Sequence, residues 1–159
     1  MRAQYLPRKS QSFSLLHASA ILMAVLCAYT QNAQILRGPG DMTVSSGDAV
    51  TFNCTVSCSS LGAVPVSWYL TLPAFKRNVA ISPYTSLTQM KSFYGLDLKR
   101  SVIDDCPSGA RTVQLTITNV TSDLNTMPVQ CGALLVQSDC FCSDPQLYYS
   151  KFSILNVER

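Results

Sequence analysis

Hydrophobic and polar residues alternate in short segments along the chain from about residue 49 onward. The clearest segment is AVTFNCTV, in which Val50, Phe52, Cys54 and Val56 share one face and the intervening polar residues share the other. Alternation with a period of two, carried by β-branched and aromatic side chains, is typical of a strand with one buried face. The pattern therefore predicts a β-strand here.

Four further segments repeat this alternation, at residues 64–72, 111–120, 127–136 and 148–157. Turn residues separate the segments, and no long amphipathic helix is indicated, so the predicted fold class is all-β. The residues predicted to face the core in these segments are Val66, Trp68, Leu70, Val113, Leu115, Ile117, Val129, Cys131, Ala133, Leu155 and Val157.

A basic head and an apolar run precede the alternating segments. Arg2, Arg8 and Lys9 come before the uncharged stretch FSLLHASAILMAVLCAY, and the small and polar TQNAQ follows it. This order is typical of a secretory signal peptide, and the apolar run is shorter than the roughly 20 residues of a membrane-spanning helix. We predict a signal peptide over residues 1–33, cleaved between residues 28 and 34, with an uncleaved signal anchor as the alternative.

The rest of the chain, residues 35–158, has the length of one domain. Nothing after the predicted signal peptide is long and apolar enough to span a membrane. The full chain has 12 basic and 9 acidic residues. Because three of the basic residues lie in the signal peptide, nine remain against nine acids, and no basic patch indicates nucleic acid or an anionic membrane as a partner.

The removal of the signal peptide also limits the chemistry. It takes away His17, the only histidine, and Glu158 is the only glutamate in the chain. Nucleophilic catalysis that needs histidine, metal sites ligated by histidine and paired-glutamate catalysis are therefore excluded. We expect no enzymatic activity, no cofactor and no metal.

Cysteine is the most informative residue type in this chain. One of the seven cysteines, Cys27, lies in the predicted signal peptide. An even number of the remaining cysteines in an oxidising compartment predicts disulfides, and a zinc site formed by four thiolates is a disfavoured alternative. The six cysteines that remain are Cys54, Cys58, Cys106, Cys131, Cys140 and Cys142.

Cys54 and Cys131 lie on two alternating segments, with Trp68 on a third segment between them. In this respect the chain resembles an immunoglobulin-superfamily domain, over residues 35–158. In that fold a strand-B cysteine bonds a strand-F cysteine between two antiparallel sheets, and a strand-C tryptophan packs on the bridge. The resemblance implies an immunoglobulin-like β-sandwich with a Cys54–Cys131 bridge, and with FNCTV, VSWYL, VQLTITNV and VQCGALL as strands B, C, E and F.

The details of the resemblance narrow the type of domain. Residues 73–110 have room for strands C′, C″ and D, which favours a variable-type domain. The run NTMPVQC places Asn125, Met127 and Val129 where the aspartate, glycine and tyrosine of the tyrosine corner usually stand. The last segment also lacks the Gly-x-Gly bulge of antigen-receptor variable domains. The chain is therefore more similar to adhesion-type members, including the junctional adhesion group, than to antibody or T-cell-receptor chains.

The resemblance places the other four cysteines in loops at one end of the sandwich. Cys58 follows strand B, Cys106 precedes strand E, and Cys140 and Cys142 lie between strands F and G. A direct Cys140–Cys142 bond would close a strained ring. Cys58 is therefore expected to bond one of that pair and Cys106 the other, with both arrangements open. Such a tip adds stability or, in a second interpretation, holds the loops ready for binding.

Two further features concern the surface. Asn53-Cys54-Thr55 and Asn119-Val120-Thr121 are acceptor triplets for N-glycosylation, and Asn53 is predicted to point outward because its neighbour Cys54 points inward. Aromatic residues are enriched in interface cores, although packing under a long loop is an equal alternative. The aromatic candidates for an interface are Tyr84, Phe93, Tyr94 and Phe141.

These observations predict a non-catalytic extracellular binding module, as the resemblance to adhesion and immune-receptor members implies. Its site is expected at the loop tip or on the C–C′–F–G sheet face, and its partner is another extracellular protein or a second copy of the chain. The protein is expected to be secreted, or at the cell surface if the chain belongs to a longer receptor. In that alternative the domain serves mainly as a structural spacer. The third hypothesis, an extracellular enzyme, lacks the catalytic groups.

Overall fold

The structure is a computed structural model that describes residues 34–58, 64–106, 109–135 and 146–158, which belong to one compact unit. The predicted signal peptide lies outside these residues. The described elements are β1 (Ile35–Arg37), β2 (Met42–Ser45), β3 (Val50–Ser57), β4 (Val66–Leu72), β5 (Arg77–Ile81), α1 (Leu87–Tyr94), β6 (Leu98–Asp105), β7 (Ala110–Ile117), a 3-10 turn (Ser122–Leu124), β8 (Met127–Leu135), β9 (Gln146–Tyr149) and β10 (Ser153–Glu158).

The strands form two sheets that pack face to face. The first sheet has the order β1-β3-β7-β6, and the second has the order β2-β10-β8-β4-β5, with β9 beside β8. The pairing of β2 with β10 is parallel, and the other described pairings are antiparallel. This is the A-B-E-D sheet and the A′-G-F-C-C′ sheet of an immunoglobulin-like β-sandwich. The predicted fold class is confirmed.

The core lies between the sheets, and every residue predicted to face it is buried. Cys54 on β3 and Cys131 on β8 form a disulfide that joins the two sheets, with their Cα atoms 6.4 Å apart. Trp68 is fully buried and is the cross-strand partner of Cys131. Closing a loop of 77 residues stabilises the fold by about 4 kcal/mol on the chain-entropy model.

The stretch at residues 73–110 contains β5, α1 and β6, so the predicted C″ strand is wrong. Local chemistry favours a helix at that place. The hydroxyl of Ser86 accepts a hydrogen bond from the backbone N–H of Gln89 (3.5 Å) at the start of the helix, and Gly95 ends it with a φ of 68°. Serine caps and left-handed glycines are the common terminators of helices. The helix residues packed against the core are Leu87, Met90 and Tyr94.

The turn between β7 and β8 replaces the tyrosine corner with other contacts. The Oδ1 atom of Asn125 accepts a hydrogen bond from the backbone N–H of Val157 on the last strand (2.9 Å). Met127 and Val129 are fully buried. The turn is therefore tied to β10 by an amide and to the core by apolar side chains, without a tyrosine.

Candidate binding surfaces

The structure joins Cys58 to Cys106, with a Cα–Cα distance of 5.8 Å. The expectation that each of them pairs with a cysteine of the F–G loop is therefore wrong. Cys140, Phe141 and Cys142 lie outside the described residues. Disulfides between loops were expected because all four loop cysteines were placed at one end of the sandwich. Cys58 and Cys106 instead bond to each other, next to strands of the same sheet.

The ladder between β3 and β7 explains why Cys58 meets Cys106. Ser57 pairs with Ala110, and the backbone N–H of Cys58 donates to the carbonyl of Gly109 (2.8 Å). The turn before β7 is consequently held beside the end of β3. Cys106 has a φ of 65°, in the left-handed region that is typical of turns. The bridge follows from strand register, which the spacing of the cysteines does not show.

A cavity of about 500 Å³ opens near this end, lined by β4, β6, β7 and the loop after β5. Arg100 donates hydrogen bonds to the carbonyls of Ser82 and Thr85, and Arg111 donates to a carbonyl just before β4. Both guanidinium groups therefore hold loop backbone. Tyr84, a predicted interface residue, stands at the rim with 91% of its surface exposed.

The outward face of the second sheet carries no charge on β4, β8 and β9. The sequences of β4, β8 and β9 contain no Lys, Arg, Asp or Glu. Leu134 and Tyr149 are exposed on it by 37% and 51%. We call this surface the tyrosine face, and define it by its outward residues Ser67, Tyr69, Thr71, Asn78, Ala80, Gln130, Gly132, Leu134, Leu147 and Tyr149.

Two tyrosines from different strands meet at the centre of the tyrosine face. The rings of Tyr69 and Tyr149 lie edge to face, with centroids 5.2 Å apart. They meet over Gly132, where a Cβ atom would lie 2.9 Å from Cε2 of Tyr69 and 3.3 Å from Cδ1 of Tyr149. A larger residue would push the rings away. Burial raises the pKa of the Tyr69 phenol, and the neighbouring Tyr149 raises it further.

The outward face of the first sheet differs from the tyrosine face because it presents polar side chains and has no aromatic rings among the residues named below. Its hydroxyl and amide side chains bond to each other across the strands: Thr51 to Thr116 (2.8 Å), Thr55 to Thr112 (3.0 Å), Gln114 to Asn53 (2.8 Å) and Ser101 to Gln114 (3.0 Å). We call these seven residues the hydroxyl face. Asn53 is exposed at its centre. Its Oδ1 accepts the bond from Gln114, which leaves Nδ2 for the predicted glycan.

A third surface lies at the other end of the sandwich, where three aromatic rings form a row. Phe75 stacks edge to face on Tyr94 (5.7 Å between centroids), and Tyr94 contacts Phe93 at 6.5 Å. Phe75 and Phe93 are exposed by 54% and 70%. We call these three residues the aromatic ridge. Phe93 and Tyr94 were predicted from the sequence as interface residues, but Phe75 was not. The sign that could have indicated it is the presence of an aromatic residue in the otherwise turn-like stretch LPAFKRN.

The described residues hold neither a cluster of three or more metal-ligating side chains nor a helix long and apolar enough to cross a bilayer. No protein-family model matches the chain, and no curated protein matches it.

Solved structures of titin domains are similar in fold. A chimeric titin Z1Z2 carrying an exogenous KLER peptide from decorin is 20% identical, with a TM-score of 0.47, over 81% of this chain and 96% of that chain. The titin I-band fragment I67-I69 is 15% identical, with a TM-score of 0.49, over 79% of this chain and 32% of that one. The titin domains Z1Z2 in complex with telethonin are 20% identical, with a TM-score of 0.46, over 81% of this chain and 49% of that chain.

Proposed function

We propose that this protein is an extracellular immunoglobulin-like module that binds another protein through the tyrosine face. Two disulfides, Cys54–Cys131 and Cys58–Cys106, support an oxidising compartment, because such bonds persist there. The predicted signal peptide over residues 1–33 supplies the route to it. The fold alone does not define a partner, and it is the surface of the domain that indicates one.

The observation that carries the proposal is the uncharged tyrosine face. Binding over β4, β8 and β9 strips water from no charged side chain, which removes the largest desolvation cost of association. Tyr69 and Tyr149 offer ring surface and phenol groups, the combination that is enriched in interface cores. Both rings stand on paired strands and contact each other over Gly132, so little side-chain freedom is lost on binding.

The partner that fits this face is a protein surface with little charge and with aromatic or aliphatic groups at its centre. A second copy of the chain meets that description, because no like charges would oppose each other across a two-fold axis. We therefore take self-association as the first case and a different extracellular protein as the second. The C′ strand β5 supports a domain nearer the variable type than the constant type, in line with an adhesion-type member.

The experiment expresses the complete reading frame in secreting cells and isolates the product from the medium. Sedimentation velocity measures self-association, and a panel of purified cell-surface proteins tests other partners. The variant Tyr149→Lys places a charge in the centre of the face and should weaken binding by about tenfold or more. Tyr84→Lys is the matched control, because Tyr84 is an exposed tyrosine outside this face, and it should leave binding unchanged.

Each other result has a defined meaning. Loss of binding with Tyr84→Lys and not with Tyr149→Lys would move the site to the loop tip. A domain that captures no partner and stays monomeric at high concentration would indicate the spacer role. A product with free thiols that never reaches the medium would contradict the extracellular assignment.

A further inference from the structure

We propose that the aromatic ridge is the docking surface for an N-glycan carried by this chain's own Asn119. The inference rests on the extracellular assignment, because N-glycans are added on the secretory route. A cavity of about 130 Å³ separates the ridge from the turn after β7. The residues that line this cavity include Phe75 and Tyr94 of the ridge together with Asn119, Thr121 and Asp123. The acceptor asparagine and two of the three rings of the ridge therefore share one recess.

The backbone on both sides of Asn119 is fixed in place. The N–H and the hydroxyl of Thr118 both donate to the carbonyl of Asp97, at 2.9 and 3.2 Å, in the segment directly after α1. The N–H of Val120 donates to the carbonyl of Asp48 (2.9 Å). Asn119 itself is exposed. The first sugar of a glycan is consequently anchored at the wall of the recess and next to the ridge.

The residues of the recess match the chemistry of a pyranose. The electron-rich face of an aromatic ring attracts the slightly positive C–H groups on the apolar face of a sugar, and Phe75 offers such a ring at the rim. The carboxylate of Asp123 can accept hydrogen bonds from sugar hydroxyls. The volume of about 130 Å³ lies well below the ~300–1,000 Å³ of pockets for free ligands. It suits the N-acetyl group of the first sugar.

The size of the ridge argues against a protein as its occupant. It consists of three side chains, whereas a stable protein interface buries about 800 Å² on each partner. Two of the three rings are more than half exposed, and exposed apolar groups gain free energy when they are covered. A glycan attached to the same chain covers a patch of this size without the entropy cost of bringing a second molecule to it.

The hydroxyl face supplies an internal control. Asn53 is the other acceptor, and its hydrogen-bonded neighbour across the strands is Gln114. A glycan there meets hydroxyl and amide groups, so it should not depend on Phe75. Any effect of a Phe75 substitution that appears at Asn119 and not at Asn53 is specific to the ridge.

The test is a thermodynamic cycle on the secreted protein. Phe75→Ala is made in the natural background and in Asn119→Gln, which lacks the glycan, and the Tm is measured by calorimetry. Phe75→Ala should lower Tm by about 2–4 °C more with the glycan than without it. Asn53→Gln in place of Asn119→Gln should give no such difference. Phe75→Leu keeps an apolar side chain and should resemble Phe75→Ala, because the ring is what is needed.

A second readout measures contact directly. An endoglycosidase should trim the Asn119 glycan of the folded protein more slowly than the Asn53 glycan, and Phe75→Ala should speed the first and leave the second unchanged. Equal Tm shifts in both backgrounds, equal trimming rates or an unoccupied Asn119 in mass spectrometry would each overturn the proposal. So would dimers formed through the ridge and dissolved by Phe93→Ser. None of these results affects binding through Tyr149, which is tested separately.

Discussion

The tyrosine face and the hydroxyl face are the two outer surfaces of one sandwich, and each is built from alternating residues that point away from the same core. On the hydroxyl face the side chains bond to their neighbours, as in the contacts of Thr51 with Thr116 and of Gln114 with Asn53. On the tyrosine face the prominent side chains are rings and a leucine. The inward residues of both sheets are alike, so the difference between the faces lies in their outward positions alone.

This difference teaches what makes a sheet face available to a partner. A hydroxyl that already bonds another hydroxyl gains little from a new partner, because binding exchanges one hydrogen bond for another. Lys99 and Asp104 on the neighbouring strand β6 add exposed charges that prefer water. The rings of Tyr69 and Tyr149 leave apolar surface uncovered, and covering it releases free energy. The polar side chains of the tyrosine face are bonded within the chain as well, as in the contact of Thr71 with Asn78 (2.8 Å). The difference between the faces is therefore the exposed ring surface at the centre of the tyrosine face.

The largest expected effect is the loss of stability when the Cys54–Cys131 bridge is removed, since both faces depend on the folded sandwich. Cys54→Ala combined with Cys131→Ala cuts the link between the sheets, which should cost about 4 kcal/mol, and it leaves a cavity beside the buried Trp68. That loss approaches the whole stability of a small domain. We expect little or no secreted product, and urea unfolding of any recovered protein at a much lower midpoint.

The other bridge serves as the control for this prediction. Cys58→Ser with Cys106→Ser removes a bond between neighbouring parts of the first sheet, and Cys58 is only half-buried. The domain should still fold and keep its tyrosine face. A greater loss of stability from this pair than from the core pair would contradict the assignment of Cys54–Cys131 as the link on which both faces depend.

A smaller effect should be confined to the tyrosine face. Gly132→Ala places a Cβ atom 2.9 Å from the Tyr69 ring, and overpacking of this kind costs about 1–3 kcal/mol. We expect a lower free energy of unfolding and weaker binding. Tyr69→Ala added to Gly132→Ala should restore part of the stability because it removes the clash. Gly40→Ala, whose Cβ would meet nothing within 4 Å, should be nearly neutral in chemical denaturation.

The sequence predicted the parts of the fold that depend on local pattern. Every position that alternation assigned to the core is buried, but the buried residues of β5 and β6 were not assigned. The order of Cys54, Trp68 and Cys131 matched that of a known family, and the resemblance implied the sandwich. The alternation is a local signal, because a strand with one buried face must alternate wherever it lies. The helix at residues 87–94 was missed although Ser86 and its glycine cap were visible, because the length of the stretch was matched to strands.

The parts that failed or stayed incomplete depend on register. The pairing of Cys58 with Cys106 follows from the alignment of β3 with β7, which no spacing along the chain reveals. The C–C′–F–G sheet face was expected as one possible site. The meeting of Tyr69 and Tyr149 over Gly132 was not, since it needs three strands in one alignment. Phe75 was missed because its contact joins the turn after β4 to the end of α1, and nothing along the chain indicated that the two meet.

The hydroxyl face should respond to substitution in a different way from the tyrosine face. Thr51→Val alone leaves the hydroxyl of Thr116 without its partner and should cost about 0.5–1.5 kcal/mol. Thr51→Val with Thr116→Val replaces both groups by similar shapes and should be nearly neutral in urea unfolding. Neither change should alter binding. A loss in the double variant equal to the sum of the losses in Thr51→Val and Thr116→Val would show that the two hydroxyls are not coupled. Weaker binding would place the partner on this face.

The smallest expected effect concerns the pKa of one phenol on the tyrosine face, that of Tyr69. Burial, and then the neighbouring Tyr149, raise the pKa of Tyr69 above its ordinary value of 10.0. The stability from the neutral phenol is therefore complete below about pH 10, where the unfolded chain titrates, and is lost as pH rises through the higher folded pKa. Ultraviolet absorbance should show a late tyrosinate phase that Tyr69→Phe abolishes. Tyr149→Ala should lower the pKa of that phase, because it removes the interaction and exposes the ring; an unchanged phase would mean that the two rings do not meet in solution.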